Sequence, residues 1–132
     1  MTPDCSEKLD RLRAGTLDPA EFSHLDHIGV AYEAITRYDF LEAARIVADG
    51  IRHLAEAAGD PMKFNATITL AFMSVIAERM GQARYADAAA FIEDNPDLAT
   101  RAALAPWYSA ERLTSDLARS VLLLPDRVPE RV

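Results

Sequence analysis

Two histidines, His24 and His27, stand three residues apart in the segment Phe22-Ser23-His24-Leu25-Asp26-His27-Ile28. The imidazole group titrates near neutral pH, so a histidine in an apolar environment can act as a general acid or base. Neutral imidazole is also a common protein ligand for zinc, iron and copper. No other segment of the chain combines titratable chemistry with an apolar face so closely, and we take this pair as the candidate catalytic residues.

Helical spacing predicts that both histidines face the protein interior. Ser23 followed by Asp26 is typical of a helix N-terminus and predicts a helix over about 23–37. At 3.6 residues per turn, both imidazoles share a face with apolar side chains, whereas Asp26 lies opposite. That face comprises His24, His27, Ile28, Ala31 and Ile35.

The rest of the sequence also has helical periodicity and no strand-like alternation. Asp39 and Gly59 are start and stop signals for an amphipathic helix over about 39–58. The next predicted helix, over about 61–80, is apolar on nearly every side, which is typical of a helix inside a bundle. Shorter helices are predicted over 6–14, 83–93, 95–104 and 109–117, with a break at Ser115.

These elements predict an all-α fold, a compact irregular bundle of five to seven helices around the central helix at about 61–80. A chain of 132 residues is expected to form one domain, so we assign residues 1–132 to a single helical domain. We expect residues 1–17 to be a peripheral N-terminal segment and residues 126–132 to be a loose tail.

Composition argues against several classes of partner. The net charge of −7 is unsuited to nucleic acid, which calls for a basic face. No apolar run reaches the roughly 18 residues of a membrane span, so we expect no membrane partner. The single cysteine, Cys5, cannot form an internal disulfide and the N-terminus lacks a signal-peptide pattern, so we expect a cytoplasmic protein. A small molecule and a second copy of the chain, in a homodimer, remain as partners.

Four polar residues outside the histidine segment are candidate ligand-binding residues. Asn65 and Thr69 stand one turn apart on the central helix and are expected to point into the protein. Tyr108 and Arg119, in the C-terminal part of the chain, can supply hydrogen-bond donors. We expect these four side chains to orient a ligand beside the histidines.

The ligand inventory does not favour a metal site. Two histidines at this spacing can chelate an ion, but a catalytic zinc usually has three protein ligands. The chain has no HExxH motif and no cysteine pair, and Glu78 is the one carboxylate on the central helix that could supply a third ligand. We therefore predict no metal ligands, and the sequence identifies no cofactor.

Three segments resemble a family of small bacterial all-helical proteins of uncharacterised function. The family pattern comprises an FxHxxH segment, a helix with K-(Y/F)-(H/N)-x-T-x-T, and a C-terminal YSxExLxSxxAR…PD segment. The resemblance spans about residues 22–126 and implies an all-helical fold but no reaction. The matching residues here are Phe22-x-His24-x-x-His27, Lys63-Phe64-Asn65-Ala66-Thr67-Ile68-Thr69, and Tyr108-Ser109 with Leu113, Ser115, Ala118-Arg119 and Pro125-Asp126. The position of Asn65 is often a third histidine in that pattern, so the asparagine argues further against a three-histidine metal site.

Two functions are consistent with these residues. The first is a small-molecule-binding pocket lined by His24, His27, Asn65 and Thr69, in which a histidine could serve an enzyme as its acid/base group. The second is a non-catalytic interaction or dimerisation module, in which the histidines are core hydrogen-bond partners and Trp107-Tyr108 is a surface anchor. A cavity between helices 23–37 and 61–80 would favour the first.

Overall fold

The computed structural model describes residues 4–129, and within this range the chain forms seven α-helices and no strand. The all-α bundle predicted from the sequence is therefore confirmed. The helices are α1 (Cys5–Ala14), α2 (His24–Arg37), α3 (Phe40–Ala57), α4 (Ala66–Gln82), α5 (Ala88–Asp94), α6 (Ala110–Leu113) and α7 (Asp116–Ser120). Short 3-10 turns lie at Pro19–Glu21, Pro61–Lys63, Pro96–Ala99 and Arg101–Leu104.

Local capping signals set the ends of the first three helices. The hydroxyl of Ser23 accepts a hydrogen bond from the Asp26 N–H at 3.1 Å, and the Asp26 carboxylate accepts one from the Ser23 N–H at 2.8 Å. This reciprocal capping box fixes the start of α2, directly before His24. Gly15 and Gly59, with φ of +74° and +76°, follow α1 and α3 in the left-handed conformation that favours glycine.

The later helices are shorter than predicted because extended residues interrupt them. The predicted helix 61–80 begins instead at Ala66, since Asn65 has φ of −135° and caps the helix with its side chain. Asp87 has the same role before α5, so that helix begins at residue 88 rather than 83. The predicted helix 95–104 is a pair of 3-10 turns, and the helix predicted over 109–117 ends at Leu113 and restarts after Ser115.

The core forms where α2 and α4 meet the other helices. Helix α2 packs against α1, α3, α4 and α5, and α4 packs against α2, α3 and α7. Helix α4 is buried on most sides between residues 67 and 76, so it shares the centre of the bundle with α2. The largest fully buried side chains include Leu9, Ile28, Phe72, Met73, Ile76, Phe91, Leu98 and Leu104.

Helix α1 covers α2 and α3, although it lies in the segment predicted to be peripheral. Its Leu9 and Leu12 are buried, and a Cβ on Gly50 of α3 would lie 2.4 Å from Leu12 Cγ. The Lys8 side chain is also buried, where it pairs with Asp26 at 2.9 Å and donates a hydrogen bond to the Glu21 carbonyl at 3.2 Å. Helix α1 thereby holds the turn that precedes α2.

The C-terminal segment returns to α4 after α7. The buried Thr67 hydroxyl donates to the Val121 carbonyl at 2.6 Å and accepts from the Leu123 N–H at 3.0 Å. The backbone N–H groups of Asp126 and Arg127 both donate to the Trp107 carbonyl, so the start of the predicted loose tail is attached to the bundle. Residues 130–132 of that tail lie outside the described residues.

No helix within residues 4–129 is long and apolar enough to cross a membrane.

Candidate functional site

A cavity of about 320 Å³ lies between α2, α3 and the start of α4, and both histidines line it. We call it the histidine cavity. Its volume is at the small end of the range of roughly 300–1,000 Å³ that is typical of ligand pockets. The lining residues are Pro19, Phe22, Ser23, His24, His27, Ile51, Leu54, Ala55, Ala58, Lys63, Phe64, Asn65, Ile68, Thr69 and Arg101.

His24 is oriented by a hydrogen bond to a distant part of the chain. Its Nε2 lies 2.9 Å from the carbonyl oxygen of Leu98, in the 3-10 turn Pro96–Ala99. Because a carbonyl can only accept a hydrogen bond, Nε2 carries a proton, and the neutral imidazole has its lone pair on Nδ1. The ring also packs edge-on against Phe72, with 5.2 Å between the ring centroids. His24 therefore has a fixed ring plane and a defined basic nitrogen.

His27 lacks the corresponding hydrogen bond. Its Nε2 is buried and has no hydrogen-bond partner, and it is the one side-chain nitrogen or oxygen in this condition within residues 4–129. The ring lies among other rings, with centroid distances of 5.9 Å to His24 and 6.2 Å to Phe22. A buried polar group without a partner costs about 1–3 kcal/mol, so packing alone does not favour a histidine here.

The environment of His27 keeps its imidazole neutral. Burial, which penalises the charged form, lowers the pKa of His27 to about 4, and positive charge on the neighbouring His24 lowers it further. At physiological pH, His27 can therefore accept or donate a hydrogen bond but does not carry a positive charge.

Asn65 and Thr69 both line the cavity, but their side chains differ in availability. The Asn65 amide is engaged at both ends, since its Oδ1 accepts from the Ile68 N–H at 2.9 Å and its Nδ2 donates to the Leu113 carbonyl at 2.7 Å. Asn65 thus caps α4 and ties it to α6, rather than pairing with a histidine. The Thr69 hydroxyl has no hydrogen bond to another described residue, which leaves it available to a ligand.

The structure does not bring Tyr108 and Arg119 to the cavity. The Tyr108 hydroxyl donates to the Leu123 carbonyl at 2.8 Å and so holds the C-terminal segment. Arg119 pairs with Asp116 on α7 at 2.5 Å. Neither residue lines the histidine cavity. Arg119 lies on α7, which begins after the break that follows Leu113 and packs against α4.

Two basic residues that are not among the candidates from the sequence lie at the cavity instead. Lys63, from the 3-10 turn before α4, and Arg101, from the last 3-10 turn, both line it. Lys63 belongs to the segment 63–69 that resembles a family pattern, and this resemblance could have identified it as a candidate site residue. Arg101 is an exposed arginine far away in the sequence, and nothing local distinguishes it.

The described part of the chain contains no cluster of three His, Cys, Asp or Glu residues that could hold a metal ion. Glu78, the third ligand considered from the sequence, is exposed on α4 and does not line the cavity. The histidine cavity therefore has an apolar wall and, as polar side chains, two imidazoles, two hydroxyls, one amide and two cations.

No protein-family model, curated protein or solved structure matches this chain significantly. The resemblance in the three sequence segments accordingly stays a prediction, and the site is interpreted from its own geometry.

Proposed function

We propose that this protein binds a small molecule in the histidine cavity and that His24, His27 and Thr69 make its polar contacts. The observation that supports the proposal best is the buried Nε2 of His27, which has no hydrogen-bond partner in the described part of the chain and belongs to a side chain that lines a cavity of about 320 Å³. Buried polar groups in folded proteins almost always have partners, and an exception calls for an explanation. A bound molecule, with a small adjustment of the ring, supplies one.

The alternative is that the histidines are hydrogen-bond partners within the core of an interaction module. His24 fits that description, because its Nε2 has the Leu98 carbonyl as an acceptor. His27 does not fit it, since no residue that the structure describes is a partner for its buried nitrogen. Methionine would fill a similar space without a lost hydrogen bond. The pair is thus better explained by a site than by packing.

The same geometry suits acid–base chemistry at His24. Its protonated Nε2 is held by Leu98, which leaves Nδ1 as the nitrogen that can take a proton from a bound molecule. His27, 5.9 Å away between ring centroids, stays neutral and does not compete for that proton. His24 is therefore our candidate for the acid/base residue if the bound molecule reacts, and His27 for a hydrogen-bonding group.

A matched pair of variants on α3 tests the binding proposal. Ala57 and Ala58 are adjacent and both exposed at the end of α3, but only Ala58 lines the cavity. Ala58→Phe places a large ring at the cavity, whereas Ala57→Phe adds the same ring beside it. Substitutions at exposed positions usually change stability by less than about 0.5 kcal/mol, so both variants should fold.

The measurement is a screen of a fragment library, with neutral, anionic and cationic members, by saturation-transfer NMR. We expect fragments that bind to the wild-type protein and to Ala57→Phe but not to Ala58→Phe. Bound fragments should also raise the Tm, because binding to the folded state stabilises it by mass action. If no fragment of any charge shows this pattern, the cavity is not a binding site.

A further inference from the structure

The charges around the histidine cavity are opposite in sign to the charge of the whole chain. The sequence has 21 acidic and 14 basic residues, a net charge of −7. Among residues 4–129, however, no aspartate or glutamate lines the cavity, whereas Lys63 and Arg101 do. A concave site lined by one sign of charge, with apolar walls, concentrates ligands of the opposite sign.

Within residues 4–129, the two cations at the cavity have no carboxylate partner. Many other basic side chains are held in ion pairs: Lys8, Arg11, Arg37, Arg45, Arg52, Arg79 and Arg119. Lys63 and Arg101 form no ion pair and no side-chain hydrogen bond with any residue that the structure describes. Acidic residues are in excess over the chain, yet neither of these two cations pairs with one that the structure describes. This favours an anionic group from outside the chain as their partner.

We infer that the ligand is a small organic anion, a carboxylate on an apolar body, with its carboxylate at Lys63 and Arg101. This inference rests on the proposed binding function. Arginine and lysine form charge-assisted hydrogen bonds to carboxylates, and arginine can do so through two parallel bonds. The apolar body lies against the aliphatic and aromatic side chains of the wall, which are Ile51, Leu54, Ala55, Phe64 and Ile68.

The volume of the cavity limits the size of the apolar body. An engineered apolar cavity of about 150 Å³ is known to hold a benzene ring. The histidine cavity, at about 320 Å³, therefore accommodates a single ring with a short acidic side chain. The apolar wall distinguishes such a molecule from an inorganic anion, which would leave most of that wall in contact with water. Neutral His27 adds a hydrogen bond without adding charge.

The test compares phenylacetate with phenylacetamide, which has nearly the same shape but no charge. We expect phenylacetate to bind more tightly by about tenfold, the effect of a charge-assisted contact of modest strength. Acetate and inorganic phosphate should bind much more weakly than phenylacetate, because they lack the apolar body. Binding is measured by NMR titration of the labelled full chain, and Ala58→Phe reports whether each probe occupies the cavity.

Neutralising the cations identifies the groups responsible. The double variant Lys63→Gln/Arg101→Gln should reduce the preference for the acid over the amide to about twofold or less. Arg84→Gln is the matched control, because Arg84 is also exposed and forms no ion pair with a described residue, but does not line the cavity. That control should retain the full preference. Added salt should weaken the binding of the acid more than that of the amide.

Three results would overturn the inference. Equal affinity for acid and amide would do so, as would a preference that survives in Lys63→Gln/Arg101→Gln. Failure of phenylacetate to bind, together with Ala58→Phe-sensitive binding of neutral or cationic fragments, would also do so. In each case, binding that is lost in Ala58→Phe still supports the proposed binding function. If Ala58→Phe reduces the binding of no probe, both the inference and the proposed function are overturned.

Discussion

The bundle contains two groups of polar side chains at helix ends, and they differ in how fully their hydrogen bonds are satisfied. The first, which we call the Asn95 cluster, consists of Arg79, Tyr85, Asn95 and Asp97 between α4, α5 and the turn that follows. The second is the histidine cavity. Both groups lie against the same apolar core, so comparing them shows what hydrogen bonding contributes to stability.

Every polar atom of the buried Asn95 amide has a partner. Its Nδ2 donates to the Phe91 carbonyl at 2.8 Å, and its Oδ1 accepts from Arg79 at 3.1 Å. Arg79 also makes two parallel hydrogen bonds to Asp97, each 2.7 Å long. This guanidinium lowers the pKa of the Asp97 carboxyl group, which stays ionised. Such a complete network is typical of a structural element.

The histidine cavity lacks this completeness. Among residues 4–129, neither the His27 Nε2 nor the Thr69 hydroxyl has a hydrogen-bond partner, and neither Lys63 nor Arg101 has a carboxylate partner. The two regions are nevertheless connected, because the Asn95 cluster holds the turn Pro96–Ala99, whose Leu98 carbonyl orients His24. The Asn95 cluster, whose amide hydrogen bonds are complete, thus supports the fold and also positions His24 in the histidine cavity, where hydrogen bonds are missing.

The largest expected difference between the two regions is in the effect of removing a polar side chain. Asn95→Ala should lower the free energy of unfolding by about 3 kcal/mol, because it leaves the Phe91 carbonyl without its side-chain donor and takes one acceptor from Arg79, which keeps only Asp97. Urea denaturation of the wild-type and variant proteins measures this difference. A loss no larger than that caused by His27→Met would remove the distinction between the regions.

The second effect concerns pH. Unfolded His27 takes up a proton near pH 6.5, whereas in the folded protein its pKa is lowered to about 4. Between these values the unfolded state binds more protons, so stability falls as the pH falls, by up to about 3 kcal/mol from this residue. The free energy of unfolding, measured across this range, should decline less steeply in His27→Met than in the wild-type protein.

The control for the pH experiment is the third histidine. His53 is exposed on α3 and does not line the cavity, so the difference in pH dependence between the wild-type protein and His27→Met should be the same when both also carry His53→Gln. Identical pH profiles for wild type and His27→Met would show that His27 is not held neutral by burial.

A smaller effect is expected at His24. His24→Phe keeps a ring against Phe72 but removes the donor to the Leu98 carbonyl. The lost hydrogen bond should lower the free energy of unfolding by about 1 kcal/mol, measured by urea denaturation. A variant as stable as the wild-type protein would indicate that Leu98 does not orient His24.

The smallest effect is expected for His27→Met near neutral pH. The substitution removes a buried nitrogen that has no partner and retains most of the packing, so stability should change by less than about 1 kcal/mol, in either direction. Thermal melting of the two proteins measures this. A large loss would mean that His27 makes a stabilising hydrogen bond within the protein.

The parts of the fold that depend on neighbouring residues could be predicted from the sequence. The capping box of Ser23 and Asp26, the cap at Asp39 and the glycine at position 59 each act within one or two helical turns. The start of α4 differs from the prediction because Asp60-Pro61 resembles a helix start, whereas the side chain that caps the helix is that of Asn65.

The site was predictable only where a helix supplies it. The spacing of His24 and His27 on α2 indicated a shared face, and both line the cavity. The Leu98 carbonyl lies 74 residues along the chain from His24, and Arg101 belongs to a separate 3-10 turn. No local sequence pattern predicts that either one lies at the site. Tyr108 and Arg119 are suitable donors by residue type, but the Tyr108 hydroxyl is held by the Leu123 carbonyl and Arg119 lies on α7, which packs against α4. Periodicity encodes neither of these contacts.

The most direct test of the site follows the three histidine side chains by NMR while fragments are added to the folded protein. His24 and His27 line the cavity and His53 does not. One spectrum therefore contains the two signals expected to shift and a control signal from His53. We predict saturable shifts of the His24 and His27 signals with phenylacetate, none at His53, and no shifts at any histidine in Ala58→Phe. Unchanged His24 and His27 signals with phenylacetate, its amide and every other fragment would contradict a binding site at this cavity.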